Sequence, residues 1–128
     1  MDRVISELNH ILGSGTDAAV FTSRELIRAS DAVSSLEIGS IISDCLVRMV
    51  TGLSEQPRYL VAKGGITSSD VATKALGIKK AQVIGQALPG VPAWRCGEET
   101  RYPGMTYIIF PGNVGDDDAL AQIVQKIE

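Results

Sequence analysis

Two segments of the chain share one design, in which a short apolar run passes through a glycine-bearing loop into the start of a helix. The first is Leu60-Val61-Ala62-Lys63-Gly64-Gly65-Ile66-Thr67-Ser68-Ser69-Asp70. The second is Ile108-Ile109-Phe110-Pro111-Gly112-Asn113-Val114-Gly115-Asp116. A strand-sized apolar run must bury itself in a sheet, and a helix that begins a few residues later must lie on a face of that sheet. The pattern therefore points to an α/β domain.

The rest of the chain fills in that frame. Val4, Ile5, Leu8, Ile11 and Leu12 recur at helical spacing until Gly13-Ser14-Gly15 stops them, which predicts a first helix. Ala18 to Thr22 is a short apolar run and reads as a buried strand. A polar connection with Arg24, Arg28, Ser30 and Asp31 follows it. Ser34 and Glu37 have the spacing of a capping box, so a long helix is expected to open there. Its apolar face carries Leu36, Ile38, Ile41, Ile42, Cys45, Leu46, Met49 and Val50, and it closes near Gly52. Arg58 to Ala62 reads as a strand. Thr67 to Asp70 has the spacing of a second capping box, with a short helix from Asp70 to Leu76 ending at Gly77. Lys79 to Leu88 reads as a strand closed by Pro89-Gly90-Val91-Pro92, followed by a short strand around Ala93-Trp94-Arg95. Tyr107 to Phe110 is the last strand, and a terminal helix runs from Asp116 to about Lys126. The expected architecture is a layered α/β domain with a mostly parallel sheet flanked by helices. The stretch from Lys79 to Arg101 is the place for an antiparallel or edge strand.

Composition agrees with a single folding unit. The chain has 128 residues, 45% of them hydrophobic and 21% charged. At this length roughly two-thirds of the unfolded surface can be buried without a metal or disulfide staple. Only 5% of residues are aromatic, so the core must be built from Ile, Val, Leu and Ala. Twelve Lys and Arg against fifteen Asp and Glu give a net charge of −3. That balance, with the basic residues scattered, argues against a nucleic-acid module. No apolar run approaches the roughly 18 residues of a membrane-spanning helix. The start of the chain, Met1-Asp2-Arg3-Val4, lacks a charged-then-apolar signal region. Cys45 and Cys96 fall in different elements and read as free thiols, in keeping with a cytoplasmic protein.

The two glycine loops are the places where chemistry can sit. Glycine lets the chain turn sharply and lets a ligand approach the backbone closely. A helix start behind such a loop presents unpaired N–H groups and a partial positive charge, which suits phosphate. In open α/β sheets ligands bind at the carboxyl ends of the strands, where both loops would lie. From spacing alone, Thr67 and Ser68 serve equally as helix caps. Neither loop has the Gly-Lys-Ser/Thr ending of a P-loop or the Gly-x-Gly-x-x-Gly of a dinucleotide site.

Taken in order, Lys63-Gly64-Gly65-Ile66-Thr67-Ser68-Ser69-Asp70, Gly85-Gln86 with Pro89-Gly90-Val91-Pro92, and Phe110-Pro111-Gly112-Asn113-Val114-Gly115 resemble the C-terminal nucleotide-binding domain of the four-carbon acid sugar kinase family. The resemblance runs from about Ala18 to Lys126. It implies a two-domain kinase whose N-terminal domain holds a tetronate or 3-oxo-tetronate acid and whose C-terminal domain holds ATP, with Mg²⁺ assisting transfer to the terminal hydroxyl. It places Gly64, Gly65, Ile66 and Thr67 at the nucleotide phosphates, and Gly112, Asn113 and Gly115 beside the nucleotide. Relatives of that kind carry an acidic residue where Ile66 stands and a Lys-Ser pair where Phe110-Pro111 stand. Lys63 is the candidate to supply the missing positive charge.

The sugar-acid domain, with its catalytic base, has no counterpart in these 128 residues. Residues 1–128 are therefore expected to be the nucleotide-binding half, working with a substrate domain in the same chain or in a partner. Homo-oligomerisation is compatible with that reading. The competing reading is a non-catalytic anion- or nucleotide-binding regulatory or interaction module. Other residues carry blander expectations. His10 reads as a surface residue, and one His with two distant Cys makes no zinc site. Asp116-Asp117-Asp118 could ligate Mg²⁺, but the favoured reading is that they complement the helix start and face solvent. Cys45 reads as a small core residue. Trp94 reads as packing a loop onto the sheet, with adenine stacking as the alternative.

Overall fold

The computed structural model describes residues 2–21, 32–111 and 118–127. The chain divides into two compact units, Met1–Glu55 and Gln56–Glu128.

The first unit holds helices α1 (Asp2–Gly13) and α2 (Ala32–Thr51). The periodic stripe of α1 buries Leu8, and Val50 in the last turn of α2 and Leu53 just beyond it are also buried. Asn9 ties the two together with both ends of its amide. Its Nδ2 donates to the carbonyl of Gly52 at 3.0 Å, and its Oδ1 accepts the Ser54 N–H at 2.8 Å. Gly52 is needed at this crossing because a Cβ there would sit 2.8 Å from a methyl of Ile5. Two expectations fail in this unit. The run from Ala18 forms no strand through Phe21, whose side chain is 82% exposed; Thr22 and the Arg24–Asp31 connection lie outside the described residues. Helix α2 opens at Ala32, ahead of the expected cap at Ser34, and Ile41 and Ile42 on its expected apolar face are exposed.

The second unit is a four-stranded mixed sheet of β1 (Tyr59–Lys63), β2 (Ala81–Leu88), β3 (Val91–Cys96) and β4 (Thr106–Phe110), in the order β1-β4-β3-β2. Only β1 and β4 run parallel, with Val61 opposite Ile108 and Lys63 opposite Phe110. The β3–β4 and β2–β3 pairs are antiparallel. The sheet is thus mixed rather than mostly parallel. The reason lies in the connections: a helix separates β1 from β2, but β2, β3 and β4 follow one another through turns, and short turns join only antiparallel neighbours. Gly90, at φ +83°, makes the tight turn between β2 and β3. The β3–β4 loop closes through the Cys96 N–H on the Met105 carbonyl and the Gly104 N–H on the Cys96 carbonyl, both at 2.9 Å.

Alternation along the strands assigns the two faces of the sheet. Val91, Ala93, Ile108 and Phe110 form one face and pack with Ala119 and Ile123 of α4 (Ala119–Ile127). Trp94, Tyr107 and Ile109 form the other. That face is covered by α3 (Gly65–Asp70), which continues without a break into a π-helical stretch, Val71–Ala75. The wide turn is visible in the Leu76 N–H donating to the Val71 carbonyl, five residues back, at 2.9 Å. Gly77, at φ +70°, ends the helix as expected.

Candidate functional site

The site is built where β1 turns into α3. Gly64 adopts φ +105° and ψ 142°, a conformation that L side chains avoid, and it is the residue that caps the helix. No side chain caps it. The helix opens at Gly65, so Thr67 stands in its first turn, and the expected capping box at Thr67–Asp70 does not form. The cause is Gly64: its positive φ reverses the chain at the end of the strand and starts the helix five residues early. The first hydrogen bond of the helix runs from the Ser68 N–H to the Gly64 carbonyl at 2.9 Å. The N–H groups of Gly65, Ile66 and Thr67 precede it and have no carbonyl within the helix to meet. A Cβ on Gly65 would touch nothing within 4 Å, so the backbone there faces open space. Ile66 is 75% exposed, and Thr67 is half-buried.

Two anchors hold this turn against the sheet. The Gly64 N–H donates to the Phe110 carbonyl at 2.9 Å. The Tyr107 hydroxyl, fully buried on the neighbouring strand, donates to the Ser68 carbonyl at 2.6 Å. Burial pushes the Tyr107 hydroxyl well above the usual phenol range, with a smaller contribution from the nearby Cys96. The Ser68 hydroxyl donates to the Gly64 carbonyl at 2.5 Å, so it braces the helix and its proton is committed there.

Because β1 and β4 are parallel neighbours, the chain leaves both at the same edge of the sheet. Gly64, Gly65, Ile66 and Thr67 lie together at that edge, next to Pro111. Gly112, Asn113 and Gly115 lie outside the described residues, as do Asp116 and Asp117. The Lys63 ammonium sits 4.8 Å from the centroid of the Phe110 ring, a residue that packs with Ala119 and Ile123 of α4.

A groove of about 520 Å³ runs along α3 on the opposite face of the sheet. Its helix wall is Gly65, Ser68, Ser69, Ala72 and Thr73. Its floor is Ala81, Val83, Trp94 and Ile109, and Ile78 and Lys79 close the far end. Trp94 is half-buried and packs at 55° to Tyr107, with ring centroids 6.4 Å apart. It therefore both packs the sheet and lines the groove. The Lys79 end is fixed from below by Glu99, whose carboxylate accepts the backbone N–H groups of Lys79 at 3.2 Å and Lys80 at 3.3 Å. Hydrogen bonds from its own N–H, from Lys79 and from Lys80, with the Lys79 charge, hold the Glu99 carboxyl below the usual carboxylate range. The sequence reading missed Lys79 and the helix wall. Their only signal was an i, i+3/i+4 run of small residues, Ser69, Ala72 and Thr73, on a helix that begins earlier than expected.

Cys45, expected in the core, is only half-buried on α2. His10 is exposed on α1. Cys45 and Cys96 are both free, and burial raises the Cys96 thiol. Among the described residues, no three His, Cys, Asp or Glu side chains converge on a metal site, and no helix is long and apolar enough to cross a membrane.

The sequence matches the family model described as the nucleotide-binding C-terminal domain over residues 1–120. The chain belongs to that family. Three solved structures share its fold. A Bordetella bronchiseptica protein, described as a domain of unknown function (DUF1537) with bound citrate and as a domain-swapped dimer, is 19% identical with a TM-score of 0.65; the match covers 98% of this chain and 30% of that one. A Haemophilus influenzae protein of the DUF1537 family model is 20% identical with a TM-score of 0.66, over 97% of this chain and 31% of that one. A Salmonella typhimurium LT2 protein is 18% identical with a TM-score of 0.64, again over 97% and 31%. At these identities the likeness is one of fold. The chain spans about a third of the length of each of these structures. No curated protein matches the sequence.

Proposed function

We propose that the chain is the ATP-binding domain of a kinase that phosphorylates four-carbon sugar acids, tetronate or 3-oxo-tetronate, at the terminal hydroxyl. In this reading the amides of Gly64, Gly65 and Ile66 and the amide and hydroxyl of Thr67 bind the phosphates, and Gly112, Asn113 and Gly115 border the nucleotide from the second loop. One observation carries it: the two glycine loops follow paired parallel strands, β1 and β4, tied at that edge by the Gly64 N–H on the Phe110 carbonyl. Membership of the nucleotide-binding family and the bare backbone at Gly65 support it. ATP fits these groups because phosphate oxygens need donors and the turn offers N–H groups without a helical acceptor. Mg²⁺ travels with the nucleotide, whose phosphates supply part of its coordination, so the ion needs no cage of protein carboxylates. The sugar acid belongs to the remaining domain, supplied in the same chain or by a partner, because phosphoryl transfer depends on holding both reactants in line.

The test is an amide-shift titration with Mg-ADP. Shifts at Gly64 to Ser69 and at Gly112 to Asp116 are expected, and Thr67→Ala should weaken binding. Absence of shifts in both segments overturns the assignment. The position of Lys63 over Phe110 favours a second reading, a domain that binds nucleotide without transferring phosphate. Phosphoryl transfer to a tetronate on adding a sugar-acid domain separates the two.

A further inference from the structure

We propose that the groove along α3 is the nucleoside subsite, with the base lying against Trp94 and Val83 and the phosphates leaving past Gly65. The proposal rests on the nucleotide reading and says which face of the sheet the nucleoside occupies, a point that reading leaves open. Three observations carry it.

The first is continuity. Gly65 belongs both to the turn with the bare amides and to the groove wall, so a ligand with its phosphates at the turn enters the groove directly. From Gly65 to Thr73 the helix advances about 12 Å at 1.5 Å per residue, room for an elongated molecule. The alternative direction, over the α4 face, is occupied at that end by Lys63 stacked on Phe110.

The second is size and chemistry. About 520 Å³ lies within the range of roughly 300–1,000 Å³ usual for small-ligand sites. The floor is apolar and includes an aromatic ring, as a planar heterocycle requires. The polar groups are few and spaced: the Ser69 hydroxyl, the Thr73 hydroxyl and Lys79. Thr73 donates its proton to the Ser69 carbonyl at 3.0 Å, which leaves its oxygen lone pairs for a ligand donor such as a ribose hydroxyl.

The third is preorganisation. The π-helical turn at Val71–Ala75 widens the helix alongside the groove, and insertions of this kind recur at functional sites. Tyr107 braces α3 from beneath, and Glu99 holds the backbone of Lys79. The walls are thus fixed in the absence of ligand.

Trp94 is the single tryptophan in the chain, so its emission reports on the groove alone. The full chain is titrated separately with Mg-ADP, with adenosine and with tripolyphosphate, following Trp94 emission and amide shifts. Mg-ADP and adenosine are expected to change the emission and to shift Ser69, Thr73, Lys79 and Val83. Tripolyphosphate is expected to shift only the Gly64–Thr67 turn and to compete with Mg-ADP. Val83→Glu, at a 65% exposed position where folding tolerates the change, should weaken adenosine and Mg-ADP about tenfold or more and leave tripolyphosphate binding within twofold. Mg-ADP shifting the turn while Trp94 and the groove amides stay silent overturns the subsite and keeps the nucleotide reading. Adenosine in the groove with no ADP response at the turn keeps the subsite and removes the phosphate site. Silence to all three ligands removes both.

Discussion

The hydrogen bond from Tyr107 to the Ser68 carbonyl is the contact through which the sheet sets the position of the glycine turn, and Tyr107→Phe isolates it. The ring is fully buried and pairs with Trp94, and phenylalanine keeps both features. Only the 2.6 Å bond is lost. A neutral hydrogen bond contributes about 0.5–1.5 kcal/mol net. The Ser68 carbonyl also receives the Val71 N–H within the helix, so it is not orphaned and the full desolvation penalty does not apply. The expected loss is therefore about 1 kcal/mol, or roughly 3–5 °C in midpoint for a chain of this size. Alkali adds a second readout. Burial raises the Tyr107 hydroxyl, so the folded state favours the protonated phenol. The stability linked to this group is whole below the ordinary phenol value near pH 10 and is lost progressively as pH rises above it. Urea midpoints of the two proteins should thus differ at pH 7 and converge above about pH 10, where the wild type must ionise a buried phenol on unfolding and the variant has none. Amides of Gly65 to Thr67 should broaden in the variant, and Mg-ADP should bind more weakly. A variant with unchanged midpoint, or one whose deficit stays constant through pH 11, refutes the role assigned to this bond.

The glycine pair separates conformation from access. Gly64→Ala should cost on the order of 1–3 kcal/mol, because φ +105° strains any L residue while the new Cβ meets only Thr67 at 3.8 Å. Gly65→Ala has free space and should leave the thermal midpoint unchanged, yet it should weaken Mg-ADP by placing a methyl where phosphate approaches. Calorimetry of both variants with and without Mg-ADP checks the pair; tight binding by Gly65→Ala counts against phosphate at this turn. Glu99→Gln addresses the far end of the groove. Backbone donors lower the Glu99 carboxyl, so its contribution is present above about pH 4.3 and lost as pH falls through the lowered folded value. The variant should be less stable than wild type at pH 7 and equal to it near pH 2, as read from urea midpoints. Lys79 and Lys80 amides should exchange faster in the variant at neutral pH.

What could be read from the sequence follows the range of the interactions involved. The four strands of the second unit were legible because each is an apolar run bounded by its own punctuation, such as Pro89-Gly90 between β2 and β3. Helix α1 was legible from its spacing. Direction was harder: alternating strands and helices suggested parallel pairing, whereas turns joining β2, β3 and β4 enforce antiparallel pairing. The run at Ala18–Phe21 failed for the opposite reason, since an apolar stretch becomes a strand only when another strand accepts its backbone. The start of α3 was misplaced because a capping box at Thr67–Asp70 was visible, while the φ that lets Gly64 cap instead is a backbone property no neighbour announces. That shift of five residues has a functional consequence. With the helix starting at Asp70, Gly65 and Ser69 would be loop residues and no continuous wall would face Trp94. With it starting at Gly65, the same residues join Ala72 and Thr73 on one face opposite β2 and β3. The positive φ at Gly64 is thus the local choice that sets α3 alongside the groove, and if the groove is the nucleoside subsite proposed above, Gly64→Ala should weaken adenosine as well as Mg-ADP, though no atom of residue 64 lines the groove.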